Sequence, residues 1–200
     1  RETLAAGLIL LSRWRAAEDA LIDPFCGTGT LLIEAGLIAC NIAPGLNRSF
    51  ISQKFKCIES KYFDTAYEEA HDSILKDVSF RIYGSDINPK VLSIANKNIE
   101  LAGLSNIFVQ KRELQDISSR FDRGKIITNP PYQERLDTPG YDSSEELYKM
   151  IGSVFSENFS EWDYGVLSDN EDFEDYFGQK SRKKRKLFNG GIQCRFFQYF

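Results

Sequence analysis

The chain has one histidine, His71, in 200 residues. A single imidazole in charged, helix-like surroundings supplies neither a zinc ligand set nor a Ser-His-Asp arrangement, which argues against metal-dependent and serine-type hydrolysis. Its four cysteines, Cys26, Cys40, Cys57 and Cys194, form no Cys-x-x-Cys pair. Reduced thiols in a cytoplasmic protein are expected, with no metal site. No apolar run reaches membrane-spanning length and no signal-peptide pattern is present, so no membrane partner is expected. Internal repeats and low-complexity linkers are also missing, and 42% hydrophobic content over residues 1–200 suits one domain with one sizeable core. Excess positive charge is lacking as well. The net charge of −4 argues against indiscriminate attraction to nucleic-acid phosphates.

What is present begins with Asn129-Pro130-Pro131-Tyr132, directly after the apolar run Lys125-Ile126-Ile127-Thr128. This order puts a carboxamide, two rigid prolines and an aromatic ring at the carboxyl end of a strand, where open α/β sheets hold ligands. An amino group on a conjugated ring is a poor nucleophile because its lone pair is delocalised. The Asn129 oxygen and a neighbouring carbonyl can accept its N–H groups and localise that pair. Pro130 and Pro131 keep the backbone extended, and Tyr132 offers a ring for stacking beside developing positive charge. The bland reading is a strand exit made of common turn residues.

Upstream, Ala20-Leu21-Ile22 runs into Asp23-Pro24-Phe25-Cys26-Gly27-Thr28-Gly29-Thr30 and then an apolar helix pattern. Strand, Gly-rich turn and helix follow in the order of nucleotide-binding units, but the spacing is not Gly-x-Gly-x-x-Gly, which disfavours a dinucleotide. A smaller zwitterionic tail fits better, its ammonium met by Asp23 and its carboxylate by turn N–H groups. A purely structural turn is the alternative. Phe80 to Ser85 alternates like a strand and ends at Asp86-Ile87. Asp86 serves either a ribose diol or as the cap of the next helix. After the next strand, Ile107-Phe108-Val109-Gln110, Asp116 is a candidate contact to an adenine edge or an ordinary exposed acid.

The remaining pattern predicts helices over residues 3–14, 30–41, 64–75, 91–99 and 144–159, with further strands at 164–168 and a closing hairpin at 187–193. An aromatic and charged insertion occupies residues 44–78, either shaping a substrate entrance or packing as a cap. Residues 129–141 are read as a loop at the active face. Near the end, six of the seven residues 180–186 are basic, just after the acidic run 169–175. A solvated loop is the default for such a run; phosphate contact and mutual neutralisation of the two runs are the alternatives.

Together these segments resemble the catalytic domain of THUMP-type S-adenosylmethionine-dependent methyltransferases, and within them the bacterial group acting on guanine N2 of large-subunit ribosomal RNA. The resemblance rests on the turn from Asp23 to Thr30, on Asn41-Ile42-Ala43-Pro44-Gly45-Leu46-Asn47-Arg48-Ser49-Phe50, on Gly84-Ser85-Asp86-Ile87, on Asn129 to Tyr132, and on the opening and closing segments. It implies an α/β fold of the Rossmann-like class I type, with a seven-stranded, mostly parallel sheet, one antiparallel strand and helices on both faces. It implies S-adenosylmethionine as cofactor, with Asp23, Phe25, Cys26, Gly27, Thr28 and Gly29 around the methionine moiety, Thr3 and Leu4 closing that pocket, Asp86 and Ile87 at ribose and adenine, and Asp116 at the adenine amine. Asn129, Pro130, Pro131 and Tyr132 take the catalytic positions, and Arg48, Lys183, Lys184, Arg185 and Lys186 are candidate contacts to RNA, in the first place 23S rRNA. The family's RNA-capturing THUMP region has no counterpart before Arg1, so the chain is read as an excised catalytic fragment. The rivals are a DNA adenine-N6 methyltransferase, a protein glutamine methyltransferase, and a non-catalytic RNA-binding or assembly module of the same fold.

Overall fold

A computed structural model describes residues 1–132 and 143–200; most of the expected active-face loop therefore lies outside the described residues. Seven strands, β1 (Ala20–Asp23), β2 (Ile82–Asp86), β3 (Ile107–Lys111), β4 (Gly124–Thr128), β5 (Asp163–Ser168), β6 (Lys183–Asn189) and β7 (Ile192–Gln198), form one sheet in the order β3-β2-β1-β4-β5-β7-β6. The run from β3 to β5 is parallel, and β7 lies antiparallel to both β5 and β6. This is the class I methyltransferase arrangement expected from the sequence.

The helices are α1 (Glu2–Ser12), α2 (Thr30–Ala39), α3 (Ser60–Asp72), α4 (Pro89–Leu101), α5 (Ser144–Asn158) and α6 (Phe173–Phe177). Strand alternation assigns them to two faces. Leu21, Ile127, Leu167 and Phe196 join α1, α2 and α4 in one core, while Ile22, Ile126, Val166 and Phe197 join α5 and α6 in the other. Every residue of β1 and β4 is buried, as central parallel strands covered on both sides require. Strand order reverses at β1, whose neighbours are β2 and β4. The crevice at the carboxyl ends of these strands is where this architecture holds ligands.

Several local expectations are corrected. Helix α4 starts at Pro89, and Asn88 caps it by accepting the Lys90 N–H at 3.0 Å, so Asp86 is not the cap. Helix α3 begins at Ser60, a turn before the expected start at 64, because nothing from Ser60 to Phe63 breaks a helix. The acidic run folds in part as α6, driven by Phe173 and Phe177, which stack at 5.3 Å beneath Phe197 and Tyr199. The basic run is not a loop: Lys183 to Lys186 lie in β6, paired with β7 on one side only. Lysines on an edge strand also discourage pairing with other chains.

Candidate active site

The site is built where β1, β2 and β4 end. Asp23 closes β1, is 2% exposed, and its Oδ1 accepts the Thr128 hydroxyl at 2.6 Å and the Phe25 N–H at 3.1 Å. These bonds lock the tip of β1 to the tip of β4. Burial pushes the Asp23 carboxyl up to about 7; the two hydrogen bonds pull the other way and nearby Asp86 adds to the rise. Asp86 ties the turn to β2, its Oδ2 accepting the Gly27 N–H at 3.1 Å and its Oδ1 the Asn88 N–H at 2.9 Å.

The two turn glycines have different jobs. Both have positive φ, 53° at Gly27 and 82° at Gly29. A Cβ on Gly29 would sit 3.3 Å from Ala95 Cβ, so this glycine lets α2 start against α4. A Cβ on Gly27 would meet nothing within 4 Å. The backbone there is left bare beneath open space. Cys26 is buried, and burial drives its thiol far above the usual range. It is therefore a packing residue and not a thiolate nucleophile.

A cavity of about 550 Å³ opens over this turn. Phe25, Gly27 and Thr28 line it from the turn, Arg1 and Leu4 from the start of the chain, Asn129 from the exit of β4, and Asn189, Gly190 and Ile192 from the β6–β7 hairpin. Among the predicted residues it thus unites Leu4, Phe25, Gly27, Thr28 and Asn129. Thr3 is exposed on α1 and does not line it. A second cavity of about 350 Å³ has Ile22 and Tyr83 among its walls and runs between Ser85 and Ile117, the chain neighbours of Asp86 and Asp116. Ile87 is half-buried, and Asp116 is exposed in a short 3-10 turn.

Asn129 is exposed, Pro130 buried and Pro131 half-buried. Tyr132 differs from expectation. The residue is 5% exposed, and its hydroxyl accepts the Asn189 amide at 3.2 Å and the Cys194 thiol at 3.4 Å. Burial raises the phenol above its usual range. In this arrangement Tyr132 presents no open stacking face; the hairpin donors and the surrounding core hold it.

The basic residues also divide. Lys184 Nζ lies 2.5 Å from the buried Glu174 carboxylate and Lys180 Nζ 2.5 Å from Asp175, so the acidic and basic runs do neutralise each other in part. Arg185 donates to the Gln198 side chain at 3.2 Å. Lys183 and Lys186 remain exposed, while Arg48 sits in the insertion over the Phe50 ring at 4.9 Å. No group of three or more His, Cys, Asp or Glu side chains among the described residues is placed to hold a metal ion.

Sequence reasoning gave no role to Arg1 or to the hairpin turn. A signal for the hairpin existed. Once β7 runs antiparallel beside β5, its amino end and the Gly190-Gly191 turn must reach the edge of the sheet where β4 ends.

Residues 1–198 match the family described as RMKL-like, methyltransferase domain. YpsC of Bacillus subtilis (strain 168) is 40% identical over 100% of this chain and 51% of its own length. Ribosomal RNA large subunit methyltransferase K/L of Shewanella baltica (strain OS185) is 35% identical over 98% of this chain and 28% of its own length. The crystal structure of SMU.472 complexed with SAH is 35% identical, with a TM-score of 0.91 over 100% of this chain and 52% of that one. The chain therefore spans about half the length of two of these proteins and less of the third.

Proposed function

The chain belongs to the RMKL-like methyltransferase domain family, and from that premise we propose that it methylates an exocyclic amine of an RNA base, with guanine N2 of 23S ribosomal RNA as the acceptor. Its cofactor is S-adenosylmethionine, whose demethylated form SAH occupies the similar SMU.472 structure. One observation carries the reading: a single cavity is lined by both the Gly-rich turn and Asn129. A methyl donor on the first and an amine at the second would share one space.

S-adenosylmethionine supplies an electrophilic methyl group when bound. The bare backbone at Gly27 fits a ligand lying against it, with Phe25, Thr28 and Leu4 around the methionine portion. We assign the ribose diol to Asp86, which two N–H groups hold in position, and adenine to Ile87 and Asp116. Asn129 Oδ1 and the Pro130 carbonyl accept the two N–H groups of the incoming amine and localise its lone pair. Pro130 and Pro131 keep those acceptors in a fixed direction. The base enters out of its stack, as chemistry on a base requires. Positioning by these groups supplies most of the acceleration. The name of the ribosomal RNA methyltransferase relative supports RNA as the substrate class.

Incubation with labelled cofactor and undermodified ribosomal RNA, followed by nucleoside mapping, tests this. Label in N2-methylguanosine is the expected result. Label in N6-methyladenine of duplex DNA, with none in RNA, overturns it.

A further inference from the structure

The insertion between α2 and β2 takes no part in either cavity at the site; its first part, residues 48–62, combines exposed rings with positive charge, whereas the rest of α3 carries the acids Asp64, Glu68, Glu69 and Asp72. Helix α3 has no buried residue. Phe55 is 51% exposed and Tyr62 60%, so both rings have apolar area that a partner could cover with gain in free energy. From Arg48 to Tyr62 there are four basic residues against one acidic, in a chain of net charge −4. The rings and cations alternate: Lys54 and Lys56 flank Phe55, and Lys61 Nζ lies 5.2 Å from the Tyr62 ring. Lys61 also pairs with Glu59 at 2.7 Å, an exposed contact of little worth.

The strip is held in shape from beneath. The Phe50 ring rests on Gly45, where a Cβ would come within 2.6 Å of it, and carries Arg48 on it. Tyr67 donates its hydroxyl to the Arg48 carbonyl at 2.7 Å. The Asn41 side chain donates to the Ser73 carbonyl at 2.9 Å, and the Leu75 N–H to the Cys40 carbonyl at 2.9 Å. These bonds bring the insertion back to the end of α2 that is remote from the Gly-rich turn.

We infer that residues 48–62 form a binding strip for single-stranded RNA, with Phe55 and Tyr62 as stacking platforms and Arg48, Lys54, Lys56 and Lys61 as phosphate contacts. Alternating rings and cations is how proteins hold single strands without reading sequence. Protein interfaces, by contrast, are depleted in lysine. The inference rests on RNA being the substrate class. It adds a second point of attachment, away from the methyl-transfer cavity, for nucleotides flanking the target.

Fluorescence anisotropy with a labelled, unstructured RNA oligonucleotide tests it on the chain as it stands. Phe55→Ala and Tyr62→Ala are each expected to weaken RNA binding about tenfold, and Phe55→Tyr to retain it. The double variant Lys54→Gln/Lys56→Gln should lower the slope of log affinity against log salt by roughly 0.7 per lysine. SAH affinity, read by calorimetry, should stay unchanged in all of them and reports that the fold is intact. Variants within twofold of the parent overturn the inference, as does a parent with no RNA affinity at low salt. So does loss of self-association in the ring variants with RNA affinity kept, which would make the strip a protein interface. Methyl transfer is scored separately. Transfer to RNA with unaltered binding in the ring variants removes the strip alone, whereas transfer only to DNA or protein removes the RNA reading itself.

Discussion

At the carboxyl ends of β1, β2 and β4, groups far apart in sequence are tied together: Thr128 to Asp23, Gly27 to Asp86, and Asn189 with Cys194 to Tyr132. In the insertion, α3 has no buried residue and the hydrogen bonds named above run within the insertion or to its junction with α2. The first region is held by burial and cross-strand bonds, the second by local contacts and exposed rings. On the proposed function and the inferred RNA strip, the contrast separates two demands. Placing an amine beside a methyl donor needs fixed acceptors, while gripping a flexible strand needs only accessible rings and charge.

The contrast breaks most visibly at Asn129. Asn129→Ala should lower methyl transfer roughly 10²–10³-fold, the scale of losing one fixed hydrogen-bonding group at a reacting centre, with SAH affinity within a few-fold by calorimetry. Near-normal turnover would remove Asn129 from the chemistry. Leu32→Ala, in the fully buried core behind the Gly-rich turn, should cost about 3 kcal/mol in urea unfolding. A cost below about 1 kcal/mol would mean that the site-bearing core is no tighter than the insertion.

Asp23 gives a pH-dependent test. Folding raises its pKa from 3.8 to about 7, so this carboxyl favours the folded state fully below pH 3.8 and ceases to do so as pH rises through about 7. Asp23→Asn should therefore gain stability relative to the parent across that window, as measured by denaturation at each pH. An ammonium beside Asp23 would draw the proton off. SAH affinity of the parent should then rise several-fold between pH 6 and 7.5, with proton release in calorimetry, and a flat profile in both readouts would remove Asp23 from ammonium recognition. The smallest effect belongs to the insertion. Tyr62→Ala should change stability by less than about 0.5 kcal/mol, and a larger loss would show that the ring supports the fold.

Much of this molecule could be read from its residues. Continuous apolar runs at β1 and β4, and the punctuation by Gly27, Gly29 and Pro89, reveal strand, turn and helix order because backbone geometry and burial act locally there. Boundaries shifted where no local signal existed. Ser60 to Phe63 extends α3 only because nothing interrupts it, and Lys183 to Lys186 becomes strand because β7 offers pairing on one side. The cavity was half legible: Asn129, Gly27 and Thr28 carry their chemistry in type and spacing, but Asn189 and Gly190 carry none until β7 is placed beside β5.

Residue type and order alone pointed to a Rossmann-like sheet, to its carboxyl edge as the place for a site, and to Asn129 and Pro130 as candidate acceptor groups, because hydrogen-bonding capacity and strand–turn–helix punctuation are written in the chain. Only the tertiary structure decided that Tyr132 is held by Asn189 and Cys194, that Asp23 is a buried tie between strands with a raised pKa, and that Glu174 takes Lys184 out of the basic run. Each of these depends on which neighbours desolvate or pair with a group, and those neighbours lie between 10 (184 − 174) and 105 residues away along the chain.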